Sequence, residues 1–358
     1  MDILRPPLIR IGKRCYRKVL GPDKEDHNPE DEEIDLELNS IASCYGDEAC
    51  DANVNIEETS NGFSLRLQYH STYFKFIIGK KGETKKRLET ETKTRITIPK
   101  MGQEGDIVIQ GHEKKGVLSA KTRIEVLVDS ARQRLPFTHF LSIPVQGEDV
   151  VEKFEDFKFQ VIEDKRDSRI DATIFQNPQK LHLTIGTMVL LGESEIQQAR
   201  NLLHDCYIHY ISPILNQEPL MVDVQGLEYM NDDPGAVDVL YAKIKPGPAA
   251  AKLQALADVL VDKFSEAKLM QRQREQVKLH LTVMNTLFRK DPGEGSAPLP
   301  QNTRGSVRDR ESFNASLILR TLGGFDFGSF QVDRIELSQR YSTGPNGYYI
   351  SSACVHLS

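Results

Sequence analysis

The chain has 358 residues, 39% of them apolar and 27% charged, with a formal net charge of −6. Those fractions exclude a fibrous or wholly disordered polypeptide, and the length suits two domains. No apolar run reaches the length of a membrane span, and the first residues lack the apolar stretch of a secretory signal. The five cysteines, an odd number spread over a long chain, do not form a disulfide framework. Cys44 and Cys50 lie close together but lack the second pair that a zinc site needs. A reducing compartment, cytosol or nucleus, is expected.

The net charge conceals a segregation. Residues 1–51 hold 7 basic and 13 acidic side chains, residues 52–134 hold 16 and 10, and residues 135–358 hold 23 and 29. A basic island within an acidic chain suggests a locally anionic partner. The first 51 residues read as an acidic, disordered tail without periodicity, interrupted by Pro6, Pro7, Pro22 and Pro29. Its apolar groups Ile3, Leu4, Leu8, Ile9 and Ile34, Leu36, Leu38 could anchor it on a partner.

From Gly62 the pattern becomes regular. Phe63, Leu65, Leu67 and Tyr69 alternate with polar residues, as in a strand with one buried face. A short apolar helix over Tyr73–Ile78 stops at Gly79, and Glu83–Thr92 reads as a second helix. Strands follow at Arg95–Pro99 and Asp106–Gln110, then a long helix over His112–Arg134. Pro136 marks a junction, because proline disfavours helix before it.

Beyond the junction, strands are expected at Phe140–Val145, Leu181–Ile185, Met221–Val224, Val237–Ile244, Lys278–Met284, Phe330–Leu337 and Tyr348–His356. Helices are expected at Glu193–Tyr210 and Ala249–Glu266. Lys290–Ser306, rich in proline and glycine, reads as a surface loop able to cover a site. Tyr229–Gly235 reads as a hairpin turn. The mixture indicates an α+β fold.

The tightest local motif is Ile77-Ile78-Gly79-Lys80-Lys81-Gly82. Two glycines let a phosphate chain approach the backbone, since no Cβ intervenes. Gly82 opens a helix whose first N–H groups favour anions. Lys75–Arg95 contains eight basic and three acidic side chains. The motif and the strand, helix, helix, strand, strand, helix order around it resemble a type I KH domain (βααββα). That resemblance implies a GXXG loop clamping single-stranded RNA or single-stranded DNA over residues 52–134. The residues it implicates are Ile78, Gly79, Lys80, Lys81, Gly82, Lys85, Lys86, Arg87 and Arg95, with bases on an apolar strip bounded by Ile96 and Ile98.

The second signal is a repeat. Lys180-Leu181-His182-Leu183-Thr184 recurs as Lys278-Leu279-His280-Leu281-Thr282, with the histidines 98 residues apart. In a strand, each histidine and the threonine two residues later project from one face, and the leucines from the other. Two imidazoles and two hydroxyls in one cleft suit phosphodiester transfer: one neutral histidine accepts a proton and the other, protonated, donates one. Thr184 and Thr282 would donate hydrogen bonds to the phosphoryl oxygens as charge develops there. No set of residues with metal-ligand spacing flanks either motif, so no metal or cofactor is invoked. The remaining histidines, among them His139, lack a partner pattern and read as structural or exposed.

The paired motifs resemble those of the two-histidine (2H, LigT-like) phosphoesterase superfamily, a match that runs over residues 135–358 from the Phe140-Leu141-Ser142-Ile143-Pro144 strand. The resemblance implies a two-lobed α+β domain acting on RNA phosphodiesters or 2′,3′-cyclic phosphates, with His182, Thr184, His280 and Thr282 catalytic. The joining of the two modules, with Phe137-Thr138-His139-Phe140 at the junction, is similar to subunits of helicase-containing nuclear coactivator complexes. Ile174–Gly186, Glu228–Lys243 and Val283–Pro292 carry that similarity. It implies complex subunits as partners, a role in alkylation repair, a nuclear location and no membrane. Two functions follow: an RNA-processing enzyme, or a non-catalytic adaptor whose pocket only binds nucleotides or RNA ends.

Overall fold

The computed structural model describes residues 8–11, 14–17, 56–100, 103, 105–163, 169–216, 218–272, 274–290 and 311–357. The expected loop at 290–306 lies outside the described residues beyond Lys290, as do most of the acidic tail and Cys44 and Cys50. Within the tail, Leu8–Ile11 (β1) and Arg14–Arg17 (β2) pair as an antiparallel hairpin where no order was expected. The chain divides into two compact units, Met1–Arg134 and Leu135–Ser358.

In the first unit, Glu57–Thr59 (β3), Gly62–Leu67 (β4), Thr94–Thr97 (β5) and Ile107–Gly111 (β6) form an antiparallel sheet in the order β3-β4-β6-β5. Strand β3 is exposed on every residue, so it has no alternation from which sequence could detect it. Phe74–Ile78 (α1), Glu83–Thr92 (α2) and Lys114–Arg134 (α3) complete the unit. Val117, Ala120, Ile124, Leu127, Val128 and Ala131 of α3 are buried at helical spacing. They meet Leu65, Ile107 and Ile109 of the sheet and Leu88 of α2 in one core, each large side chain contributing about 1.5–3 kcal/mol.

The second unit holds an eight-stranded antiparallel sheet in the order β12-β9-β10-β11-β8-β7-β13-β14. Its strands are His139–Pro144 (β7), His182–Met188 (β8), Met221–Tyr229 (β9), Val239–Ile244 (β10), His280–Asn285 (β11), Asp326–Gln331 (β12), Arg334–Gln339 (β13) and Ser351–His356 (β14). The two halves of the sheet meet at β11 and β8 through a single registered pair, Leu281 opposite Leu183. The motif strands are therefore the innermost strand of each half.

Four details depart from the sequence reading. Phe330–Leu337 is two strands in opposite halves of the sheet; buried Val332, whose N–H donates to the Leu220 carbonyl, keeps the run apolar across the break. Glu148–Glu163 forms an unforeseen helix (α4) with Val150, Phe154, Phe157 and Val161 buried at spacings of four, three and four, packed on β12. Glu193–Cys206 (α5) continues through a π-helical turn, Tyr207–Ile211, into Ser212–Leu215. Pro248–Glu266 (α6) and Ser316–Leu322 (α7), the latter also unforeseen, complete the unit. Among the described residues no helix is long and apolar enough to cross a membrane.

Candidate nucleic-acid loop and candidate active site

The glycine loop is built by two different demands. Gly79 has φ +69°, and a Cβ there would lie 2.1 Å from the Thr84 hydroxyl, so only glycine fits. Gly82 has φ +80° with nothing within 4 Å of its ideal Cβ: its constraint is backbone handedness alone, and its surroundings are open. It caps α2 without any side-chain hydrogen bond, which leaves the first N–H groups of that helix directed at the loop. Lys80 and Lys81 are exposed beside it, Lys81 itself at φ +52°.

Not every residue assigned to this surface belongs to it. Ile96 is buried in the core at 1% exposure, because β5 alternates and places Arg95 and Thr97 outward instead. Its N–H donates to Glu89 at 2.7 Å, so neither its side chain nor its amide is available to a base. Arg87 pairs with Glu91 at 3.8 Å, and Glu91 also binds Arg123 of α3. It lies across α2 from Lys85, which pairs with Glu89 beside β5 at 3.9 Å, and so serves helix packing. Ile78 and Ile98 are half-buried, and Lys86 and Arg95 are exposed.

In the second unit both motifs adopt the expected alternation. Leu183, Ile185, Leu281 and Val283 are buried, while His182, Thr184, His280 and Thr282 are half-buried on the opposite face. Continuing the antiparallel register one residue either side of Leu281–Leu183 sets His280 across from Thr184 and His182 across from Thr282. The sheet seam thus brings together the four residues singled out from sequence.

Both rings are held in the same way. His182 Nδ1–H donates to the Lys180 carbonyl at 2.7 Å, and His280 Nδ1–H donates to the Lys278 carbonyl at 2.6 Å. A carbonyl only accepts, so Nδ1 carries the proton and Nε2 of each neutral ring is left with its lone pair. Burial pushes the pKa of His182 down from 6.5 to about 4, against the Lys180 carbonyl and helped by the charge of His280. Burial also lowers His280, opposed by the Lys278 carbonyl and aided by the positive charges of Lys278 and Arg274. Both imidazoles are neutral at pH 7.

The neighbours differ. The His182 ring lies 5.3 Å from Phe140, 5.5 Å from Tyr349 and 6.4 Å from Tyr348, ring centre to ring centre. The Tyr348 hydroxyl donates to Ser142 at 3.0 Å, and Ser142 bonds Ser338 at 2.9 Å, all buried. The His280 ring meets one aromatic, Tyr241 at 5.1 Å, and stands opposite Lys243 in register. The ammonium of Lys180 sits 5.0 Å from the Tyr349 ring and that of Lys278 4.8 Å from the Tyr241 ring. The tyrosines and Lys243 were not singled out from sequence, because each is brought to the motifs from a separate strand or loop. Among the described residues no group of three or more His, Cys, Asp or Glu side chains could hold a metal ion.

Comparison with known proteins agrees with this architecture. Residues 137–357 match the AKAP7 2′5′ RNA ligase-like domain, and residues 64–126 match the KH domain. The chain belongs to the AKAP7 2′5′ RNA ligase-like family. It is also 44% identical to "Activating signal cointegrator 1 complex subunit 1" of Mus musculus, over all of this chain and 99% of that protein. Among solved structures it is similar to Escherichia coli LigT complexed with 3′-AMP (13% identity, 63% of this chain and 99% of that one, TM-score 0.37). It is likewise similar to TT0787 of Thermus thermophilus (17% identity, 62% and 97%, TM-score 0.37). This family member therefore carries an RNA-binding KH module and a phosphoesterase-like fold on one polypeptide.

Proposed function

We propose that the chain is an RNA phosphodiesterase in which His182 and His280 perform acid–base catalysis without a metal, on substrate gathered by the KH loop. The observation that carries this reading is the matched fixing of both imidazoles through Nδ1, which leaves two Nε2 atoms on one face of the sheet seam. His182, the ring enclosed by aromatics, is the base: it stays neutral and takes the proton of the attacking hydroxyl or water. A bound phosphate offsets the cations beside His280 and raises its pKa, making it the acid that protonates the leaving oxygen. Thr184 and Thr282 donate to the non-bridging oxygens.

The test is cleavage of end-labelled single-stranded RNA, with and without a 2′,3′-cyclic phosphate end, in EDTA. Turnover falling ~10²–10⁴-fold in both His182→Ala and His280→Ala supports the enzyme. Binding without turnover, the same in wild type and both variants, replaces it with the non-catalytic adaptor. Gly82→Asp, which places an anion and a strained residue where phosphate must approach, is expected to weaken RNA binding at least tenfold in a filter or anisotropy assay.

We further propose that this chain is a subunit of a nuclear, helicase-containing coactivator complex; the name of the mouse relative supports membership of a cointegrator complex. Its test is co-purification of the tagged chain with the complex and its location in cells. An unassociated or cytoplasmic chain overturns it.

A further inference from the structure

Beside the His182 half of the cleft, the turn that leaves β13 holds an unusual pair. Tyr341 is 74% exposed, the most exposed large apolar side chain among the described residues, and its backbone sits at φ +57°. A bulky residue in that left-handed region is strained, and the strain is spent holding a ring in solvent. The Arg340 guanidinium lies over two rings, 4.3 Å from the centre of Tyr341 and 4.0 Å from that of Phe137. Arg340 forms no ion pair with a carboxylate among the described residues; its side chain donates to the Phe137 carbonyl at 3.4 Å.

This stack is continuous with the reacting groups. Phe137 lies 6.3 Å from Phe140, which lies 5.3 Å from the His182 ring and 5.0 Å from Tyr349. Arg340 also acts on the cleft electrostatically, since its charge draws down the Tyr349 hydroxyl that burial raises. Ser342, the next residue of the turn, gives its carbonyl to Lys180 at 3.3 Å, tying the turn to the residue that fixes His182.

We propose that Tyr341, backed by Arg340, is a stacking platform for the nucleobase of the substrate nucleotide on the His182 side of the cleft. With the guanidinium over it, the tyrosine ring still keeps 74% exposure, leaving it accessible for a sequence-tolerant base stack. The His280 side, with Lys278, Arg274 and Lys243, then takes the phosphate-bearing continuation of the strand. The platform makes the domain select nucleotides over simple phosphate esters.

This inference rests on the cleft binding nucleotides, and its test does not depend on turnover. The chain contains no tryptophan, so full-length Tyr341→Trp carries a single fluorescent reporter at the platform. Adenosine 3′-monophosphate is expected to change that emission saturably, and ribose 5-phosphate and inorganic phosphate are not. In equilibrium binding, Tyr341→Ala is expected to weaken adenosine 3′-monophosphate about 5- to 100-fold, the value of one stacked base, leaving inorganic phosphate unchanged; Tyr341→Phe retains wild-type affinity. Equal nucleotide affinity in wild type and Tyr341→Ala, or a silent tryptophan at saturation, overturns the platform. RNA cleavage with an unchanged Tyr341→Ala overturns the platform alone. Base-dependent emission in a protein that cleaves nothing overturns the enzyme alone.

Discussion

The two halves of the eight-stranded sheet share a five-residue motif but not its surroundings. Each half fixes its histidine by the same bond to the carbonyl two residues back, and each lays a lysine ammonium over a tyrosine. Around His182, however, the remaining contacts are aromatic, whereas around His280 they are cationic. A repeated sequence therefore supplies two matching imidazoles, and in the proposed mechanism their neighbours divide the labour. An imidazole among rings stays neutral and receives a proton; one among cations gains its proton when an anion arrives.

The greatest change is expected in the pH–rate profile of the two alanine variants. Residual activity of His182→Ala should lose the rise on the acidic side, and that of His280→Ala the fall on the alkaline side. The opposite pattern exchanges the roles.

Acid stability offers a second, smaller measure. With a folded pKa of about 4 against an ordinary 6.5, His182 binds its proton in the unfolded chain first. Its contribution is complete above pH 6.5 and is lost as pH falls toward 4, by up to ~1.4 kcal/mol per pH unit and ~3 kcal/mol in all. Thermal unfolding of wild type and His182→Gln at pH 7.5 and pH 5 should show the variant losing less. Equal losses would mean that the ring is not held neutral by burial.

The smallest effect expected is at the lysines. Lys278→Met should raise KM for an RNA substrate about tenfold through lost phosphate attraction, and Lys180→Met less, because Lys180 is also tied to Thr343 at 2.7 Å. Equal effects would remove the distinction between a base side and a phosphate side.

Much of this is legible in the sequence because it depends on local order. The glycine loop, the helix after it and the two His-X-Thr strands are short segments whose spacing states their geometry. Helix α4 is legible too, in Val150, Phe154, Phe157 and Val161, although its charged neighbours obscure the pattern. Other features lie beyond periodicity. Strand β3 buries nothing, Ile96 looks the same whether it faces a groove or a core, and Arg87 is distinguished from Lys85 only because its partner Glu91 also binds Arg123 on another helix. Tyr349 reaches His182, and Arg340, which lies over Tyr341, reaches Phe137, through sheet topology, more than 150 residues along the chain.

The join between the halves has its own consequence. Leu183 and Leu281, both fully buried, form the one registered pair that holds β8 against β11. The spacing of the two imidazoles is therefore a property of the hydrocarbon interior, set by side chains on the face away from the histidines. Truncating either leucine, both buried on the face opposite the histidines, is expected to disturb the imidazole spacing.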